Sequence, residues 1–157
     1  MKDKIKVCFI CHGNICRSPL AEFLFRDKVE KAGYGDQFYI ASAATHKDQL
    51  GNPPHPAILR ILEREGIDVG NKKAVLLTKR DYNNYDYLIG MDHYNLKYIQ
   101  RIVGKDTAGK VSLLLDYTDH PGDVADPWFT QKFNRAYEDI QKGVNGLFHY
   151  FEENGFI

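Results

Sequence analysis

The chain has 157 residues, and its 21 lysines and arginines balance its 21 aspartates and glutamates. That length suits one domain spanning 1–157, with enough chain to bury a core and too little for two ordinary domains. Zero net charge leaves no global field to draw the chain to nucleic acid or an anionic membrane, so a bound anion has to be held by local groups.

The opening MKDKIKVCFICHG has only a short apolar run before polar residues return. That run is too short for a signal peptide or a membrane span, so the expected location is the cytoplasm, with unconventional export left open. Apolar runs at Ile5–Ile10, Phe38–Ala41, Tyr87–Met91 and Val111–Leu115 predict four strands. Segments with helical spacing lie between and after them: Pro19–Ala32, Pro56–Glu65, Asp92–Ile102 and one long last helix, Pro127–Phe151. Gly33 and Gly66 stand just past the first two helices, where glycine is favoured. Alternating strands and helices predict an open α/β fold, a parallel sheet flanked by helices on both faces, with ligands beyond the carboxyl ends of the strands. The irregular stretch Ser42–Pro54 is expected on the same edge as the loop after strand 1.

That first loop reads CHGNICRSP, residues 11–19. Cys11 and Arg17 are spaced as C-x5-R, which lets a loop wrap a tetrahedral oxyanion with backbone N–H groups while the next helix presents its N-terminus. Gly13 permits close backbone approach and Asn14 tolerates positive φ. Arg17 offers a planar fork to two oxygens, and the positive surroundings favour Cys11 as a nucleophilic thiolate. Ser18 is placed to donate a hydrogen bond to that sulfur, and Pro19 opens the helix. All three cysteines, Cys8, Cys11 and Cys16, fall early in the chain, which suggests chemistry rather than scaffolding. Cys8 and Cys11 form a CxxC with too few neighbouring ligands for zinc, so no metal or other cofactor is expected. For Asp126, in DVADPWF, the residues alone leave two compatible readings open: the N-cap of the last helix, or a general acid. Trp128 and Phe129 suit either a pocket wall or the core.

The run VCFICHGNICRSPLAE, with SAAT at 42–45, GNPPHP at 51–56, YDYLIGMDHYN at 85–95 and ADPW at 125–128, resembles the low-molecular-weight protein tyrosine phosphatases in order and spacing. The resemblance implies a four-stranded parallel sheet with the phosphate-binding loop after strand 1, no metal, and hydrolysis through a phosphocysteine. It implies Asp126 as the acid that protonates the leaving phenolate and later activates water. It also implies that Asn14, Ser18 and Ser42 support the phosphate loop, and that Cys16 pairs with the nucleophile under oxidation. His12, Gly13, Asn14, Ile15, Cys16, Ser18, Asp48, Trp128 and Phe129 are the expected substrate-binding set. Asp92 matches a recurrent family position but reads equally well as a helix N-cap, and stays outside the catalytic set.

Three positions depart from many relatives. Asp48 replaces an aromatic wall, Lys72 a histidine of the loop network, and His12 is free either to face the pocket entrance or to sit in solvent. Tyrosines that many relatives carry at positions 128 and 129 are absent. Two rival readings stay open. A protein arginine phosphatase of the same fold typically has threonine where Ile15 stands, and an apolar residue there suits an aromatic ester better. A non-catalytic phosphotyrosine-binding module would need Arg17 but not Cys11 and Asp126 together. The expected partners are phosphotyrosine-containing proteins, with inorganic phosphate or similar oxyanions as product or inhibitor, no nucleic acid and no membrane. The chain is expected to be a monomer with at most weak self-association.

Overall fold

The computed structural model describes residues 3–157. Four strands, β1 (Ile5–Cys11), β2 (Phe38–Ala44), β3 (Tyr87–Gly90) and β4 (Val111–Leu113), form one sheet in the order β2-β1-β3-β4. Every pairing is parallel, so this is the four-stranded open sheet expected. Side chains alternate across β1: Val7 and Phe9 enter a core shared with α1 (Arg17–Lys31), α2 (Pro56–Arg64) and α6 (Phe133–Glu153), whereas Cys8 and Ile10 face Ile99 and Val103 of α4 (His93–Val103). Burial on both faces is why β1 reads as an unbroken apolar run. The short α3 (Asp81–Asn84) leads into β3. Among the described residues no helix is long and apolar enough to cross a membrane.

The chain leaves β1 for β2 on one side and later returns to β3 on the other, so the gap between β1 and β3 is the topological switch point, where open sheets bind ligands. The loops after β1 and β3 both emerge there.

Boundaries differ from expectation in several places. The strand expected over Val111–Leu115 stops at Leu113, and Leu114–Tyr117 turns into a 3₁₀ helix instead. β2 continues to Ala44, so Ser42 belongs to a strand rather than to the irregular loop. The predicted last helix is two helices, α5 (Pro127–Thr130) and α6, because Gln131 adopts φ 61° and its N–H closes on the Pro127 carbonyl at 2.8 Å. No glycine or proline marks residues 130–133, and the apolar spacing runs across the break, so the turn left no trace in the sequence.

Within α6, Gly143 and Gly146 let the helix press on the 3₁₀ turn Leu114–Tyr117. A Cβ at Gly146 would strike the Tyr117 carbonyl oxygen and lie 2.9 Å from its carbon. Backbone cannot swing aside as a side chain can, so Gly146→Ala should destabilise the fold by about 1–3 kcal/mol despite the better helix propensity of alanine. Urea denaturation measures this, and an unchanged or raised midpoint would contradict the close approach.

Candidate active site

The segment between Cys11, which ends β1, and Arg17, which opens α1, turns through Asn14 at φ 58°. A left-handed conformation is unfavourable for a residue with a Cβ, and Asn14 is held there by its own side chain. Its Oδ1 accepts from the Val75 N–H (3.1 Å), while Nδ2 donates to Ser18 Oγ (2.7 Å) and Ser42 Oγ (2.9 Å). Ser42 in turn donates to Glu22 Oε1 at 2.5 Å. These directions leave the Ser18 hydroxyl hydrogen for the Cys11 sulfur, 3.0 Å away. The loop is also tied down from outside: Thr45, His46 and His55 donate their backbone N–H groups to the carbonyls of Cys11, His12 and Ile15. By contrast, the N–H groups of Gly13, Asn14, Ile15 and Cys16 have no acceptor among the described residues. With no acidic residue in the first turn of α1, the loop and helix end form a cradle of free donors suited to an oxyanion.

Glu22 is buried, yet its charge is answered on both sides. Arg26 Nη2 lies 2.7 Å from Oε2, and Lys72 Nζ lies 3.5 Å from Oε1 while donating to the Ser42 carbonyl at 3.2 Å. Lys72 therefore serves the network in which the resemblance places a histidine.

Arg17 is 2 % exposed. One nitrogen, Nη1, donates to Asp92 Oδ2 (2.6 Å) and to the Val124 carbonyl (2.8 Å), and Nη2 lies 3.4 Å from Asp126 Oδ2. Burial works to lower its pKa, but the negative charges of Cys11, Asp92 and Asp126 outweigh it and hold the value above the ordinary one. The guanidinium is thus a fixed cation whose plane is set from the turn after β3, at the head of α4, and from the loop before α5. Asp92 does this with one oxygen while its other, Oδ1, caps α4 through the Asn95 N–H at 2.8 Å. The cap reading was right, and the link to Arg17 is what sequence reasoning missed. Asp126 likewise has two roles: Oδ1 accepts from the Trp128 N–H at 3.0 Å, capping α5, and Oδ2 faces Arg17.

Cys11, Cys16, Arg17 and Asp126 line one cavity of about 170 Å³ with His12, Gly13, Ile15, Asp48, Gln49, Trp128 and Phe129. Trp128 (49 % exposed) and Phe129 (81 % exposed) form its rim rather than the core. On the opposite side His12 Nε2 bonds Asp48 Oδ2 at 2.9 Å, and the His12 ring stacks on His46 at 4.0 Å. That hydrogen bond lowers the Asp48 pKa, and burial followed by the neighbouring His12 lowers that of His46. The two departures His12 and Asp48 thus form one polar wall. The side chains of Asn14 and Ser18, expected to bind substrate, are absent from this cavity's lining and with Ser42 brace the loop from behind, which leaves Asn14 only its backbone N–H to offer an oxyanion. Gln49 lines the cavity and was not foreseen, because nothing in a polar loop distinguished it. Cys8 sits on the other face of the sheet, as a strand residue three positions from Cys11 must, so the CxxC does not converge. Cys16 is buried, and burial first, then the charges of Cys11 and Asp126, push its thiol up to about 12.

A thiol, a buried guanidinium and a carboxyl meet over a cradle of amide donors, an arrangement suited to holding a phosphate ester beside a nucleophile. A family model described as low molecular weight phosphotyrosine protein phosphatase matches residues 6–155. The low molecular weight protein-tyrosine-phosphatase YfkJ of Bacillus subtilis is 37% identical over 145 residues, covering 91% of this chain and 93% of the relative. A crystal structure of YfkJ superposes with a TM-score of 0.93 at 35% identity and covers 98% of each chain. The low molecular weight phosphotyrosine protein phosphatase of Schizosaccharomyces pombe is 41% identical over 133 residues, 82% of this chain and 84% of its own. A Drosophila arginine phosphatase shares the fold at 28% identity, with a TM-score of 0.86 over 94% of this chain and 98% of its own. The chain belongs to the low molecular weight phosphotyrosine protein phosphatase family and is a protein-tyrosine phosphatase.

Proposed function

We propose that the whole chain is one catalytic domain that hydrolyses phosphotyrosine in two steps. Cys11 attacks phosphorus as a thiolate stabilised by Ser18, the P–O bond to the phenol breaks, and Asp126 gives its proton to the departing phenolate. Asp126, now ionised, takes a proton from water as that water attacks the phosphocysteine, releasing phosphate and the Cys11 thiolate. Arg17 and the N–H groups of Gly13 to Cys16 stabilise the equatorial oxygens in both transition states. The single observation that carries this reading is that Cys11, Arg17 and Asp126 line the same small cavity.

Phosphotyrosine is favoured over phosphoarginine by the walls: Ile15 is apolar, and Trp128 and Phe129 offer aromatic faces to a phenyl ring. The Drosophila neighbour bears on this because the fold alone does not separate the two substrates. Peptides carrying phosphotyrosine, phosphoserine or phosphoarginine, assayed without added metal under reducing conditions, should show turnover of phosphotyrosine far above the others. Preferential hydrolysis of phosphoarginine would overturn the reading of Ile15. Inorganic phosphate should compete as product. Three free thiols, one of them the nucleophile, suit the reducing cytoplasm, where the enzyme acts as a monomer with at most weak self-association.

Cys16 lines the same cavity and is the resolving thiol. Peroxide converts the Cys11 thiolate to a sulfenic acid, releasing hydroxide, and Cys16 then attacks that sulfur to form the disulfide, its thiol proton leaving with the sulfenic hydroxyl as water. Because Cys16 is held as a thiol, oxidation begins at Cys11. Inactivation by peroxide should be reversed by dithiothreitol in the wild type and largely irreversible in Cys16→Ser. Equal recovery in both would remove Cys16 from this role.

A further inference from the structure

Between α2 and the head of α6 lies a second groove, of about 680 Å³. Arg60 and Arg64 from α2 and Lys132 and Arg135 from the α6 side line it, against one carboxylate, Glu138. Two of these cations are partly engaged: the Arg64 guanidinium lies 5.7 Å from the centre of the Tyr137 ring, and Arg135 Nε lies 3.3 Å from Asp139. The nearby Glu65 accepts from the Tyr137 hydroxyl at 2.6 Å. Arg60 and Lys132 have no ion-pair partner among the described residues. In a chain of zero net charge this is a local excess of positive potential facing a concave surface.

The groove adjoins the catalytic cavity. Phe133, at its near end, stacks on His55 at 4.7 Å, and His55 meets Trp128 edge-on at 6.2 Å. Gln131, also lining the groove, donates Nε2 to the Trp128 carbonyl at 3.0 Å. Trp128 is itself a wall of the cavity, so the groove begins one aromatic ring beyond the site of chemistry. Arg60 and Arg64 stand one helical turn apart, about 6 Å along the axis, which spans about two residues of an extended peptide.

We propose that this groove docks acidic residues flanking the phosphotyrosine of the substrate protein, a reading that rests on the phosphatase activity described above. Exposed ion pairs are individually weak, so two or three of them acting together should improve binding about tenfold at low salt and be screened at high salt. The residues concerned lie outside the catalytic cavity, so their loss should leave hydrolysis of a small aryl phosphate unchanged.

The test uses non-hydrolysable phosphonate analogues of a phosphotyrosine peptide, flanked by a glutamate run or an alanine run on either side, with affinity read by fluorescence anisotropy. Hydrolysis of a small aryl phosphate is followed in parallel. The wild type should bind one of the acidic peptides about tenfold more tightly than its alanine counterpart at low salt, with the difference gone at high salt. Arg60→Glu/Lys132→Glu should abolish the preference, and the neutral pair Arg60→Gln/Lys132→Gln should reduce it, with aryl phosphate turnover within about twofold of wild type showing an intact fold. Equal affinity for acidic and alanine peptides in the wild type, or a preference that survives charge reversal, would overturn the proposal. So would a short single-stranded oligonucleotide that displaces the acidic peptide at lower concentration than a second acidic peptide does. Absence of aryl phosphate turnover would contradict the catalytic reading instead, because binding of the phosphonates needs no hydrolysis.

Discussion

Replacing Arg17 by lysine should lower kcat/KM on a phosphotyrosine peptide by about a thousandfold, the scale reported for loss of a preorganised donor at a developing oxyanion. Lysine keeps the charge and so separates charge from geometry. The guanidinium is anchored three times, by Asp92, the Val124 carbonyl and Asp126, and those contacts fix the plane of its remaining N–H groups toward the cavity. An ammonium has no fork, and at the end of a flexible stem it cannot hold Asp92 and Asp126 while meeting two phosphate oxygens. Most of the loss should fall on kcat, because charge on those oxygens is best matched in the transition state. Arg17→Ala should be less stable as well as inactive, since it leaves the carboxylates of Asp92 and Asp126 without their shared cation. Steady-state kinetics on the lysine variant with activity within tenfold of wild type would show that a point charge suffices.

Asp126→Asn should lower kcat on the peptide by about 10²–10⁴-fold, the usual range for losing a general acid. Asparagine is the informative change because it still caps α5 through the Trp128 N–H, so the turn that carries Trp128 and Phe129 is kept. What it cannot do is give up a proton. The loss should therefore shrink on an aryl phosphate whose leaving group departs readily without protonation. Equal losses on both substrates would reduce Asp126 to a helix cap.

The loop proposed to carry the chemistry was legible because its demands are local. A cysteine and an arginine at fixed spacing, a residue able to take positive φ, and a strand–loop–helix context all lie within a few positions of one another, and Asn14 is found at φ 58°. For Asp126 the residues alone left the cap and the general acid equally open; the structure shows the cap, and the proposed acid role leans on the family resemblance. Long-range partners were less legible. Asp92 is 75 residues from Arg17, and its capping role already explained its presence, so nothing demanded a second one. Nothing in the sequence marks Glu22 of α1, yet it is buried and compensated by Arg26 and Lys72, a fact that depends on how α1 meets β2. The break at Gln131 escaped because periodicity reports which residues are apolar, not whether the axis between them continues.

Rapid-quench analysis of the reduced wild type mixed with a phosphotyrosine peptide tests the central claim most directly. A phosphoenzyme that forms within the first turnover, is carried on Cys11 and is absent in Cys11→Ser together with all turnover is the predicted result. Turnover that persists in Cys11→Ser, or phosphate released by the wild type with no phosphocysteine on the path, would contradict it.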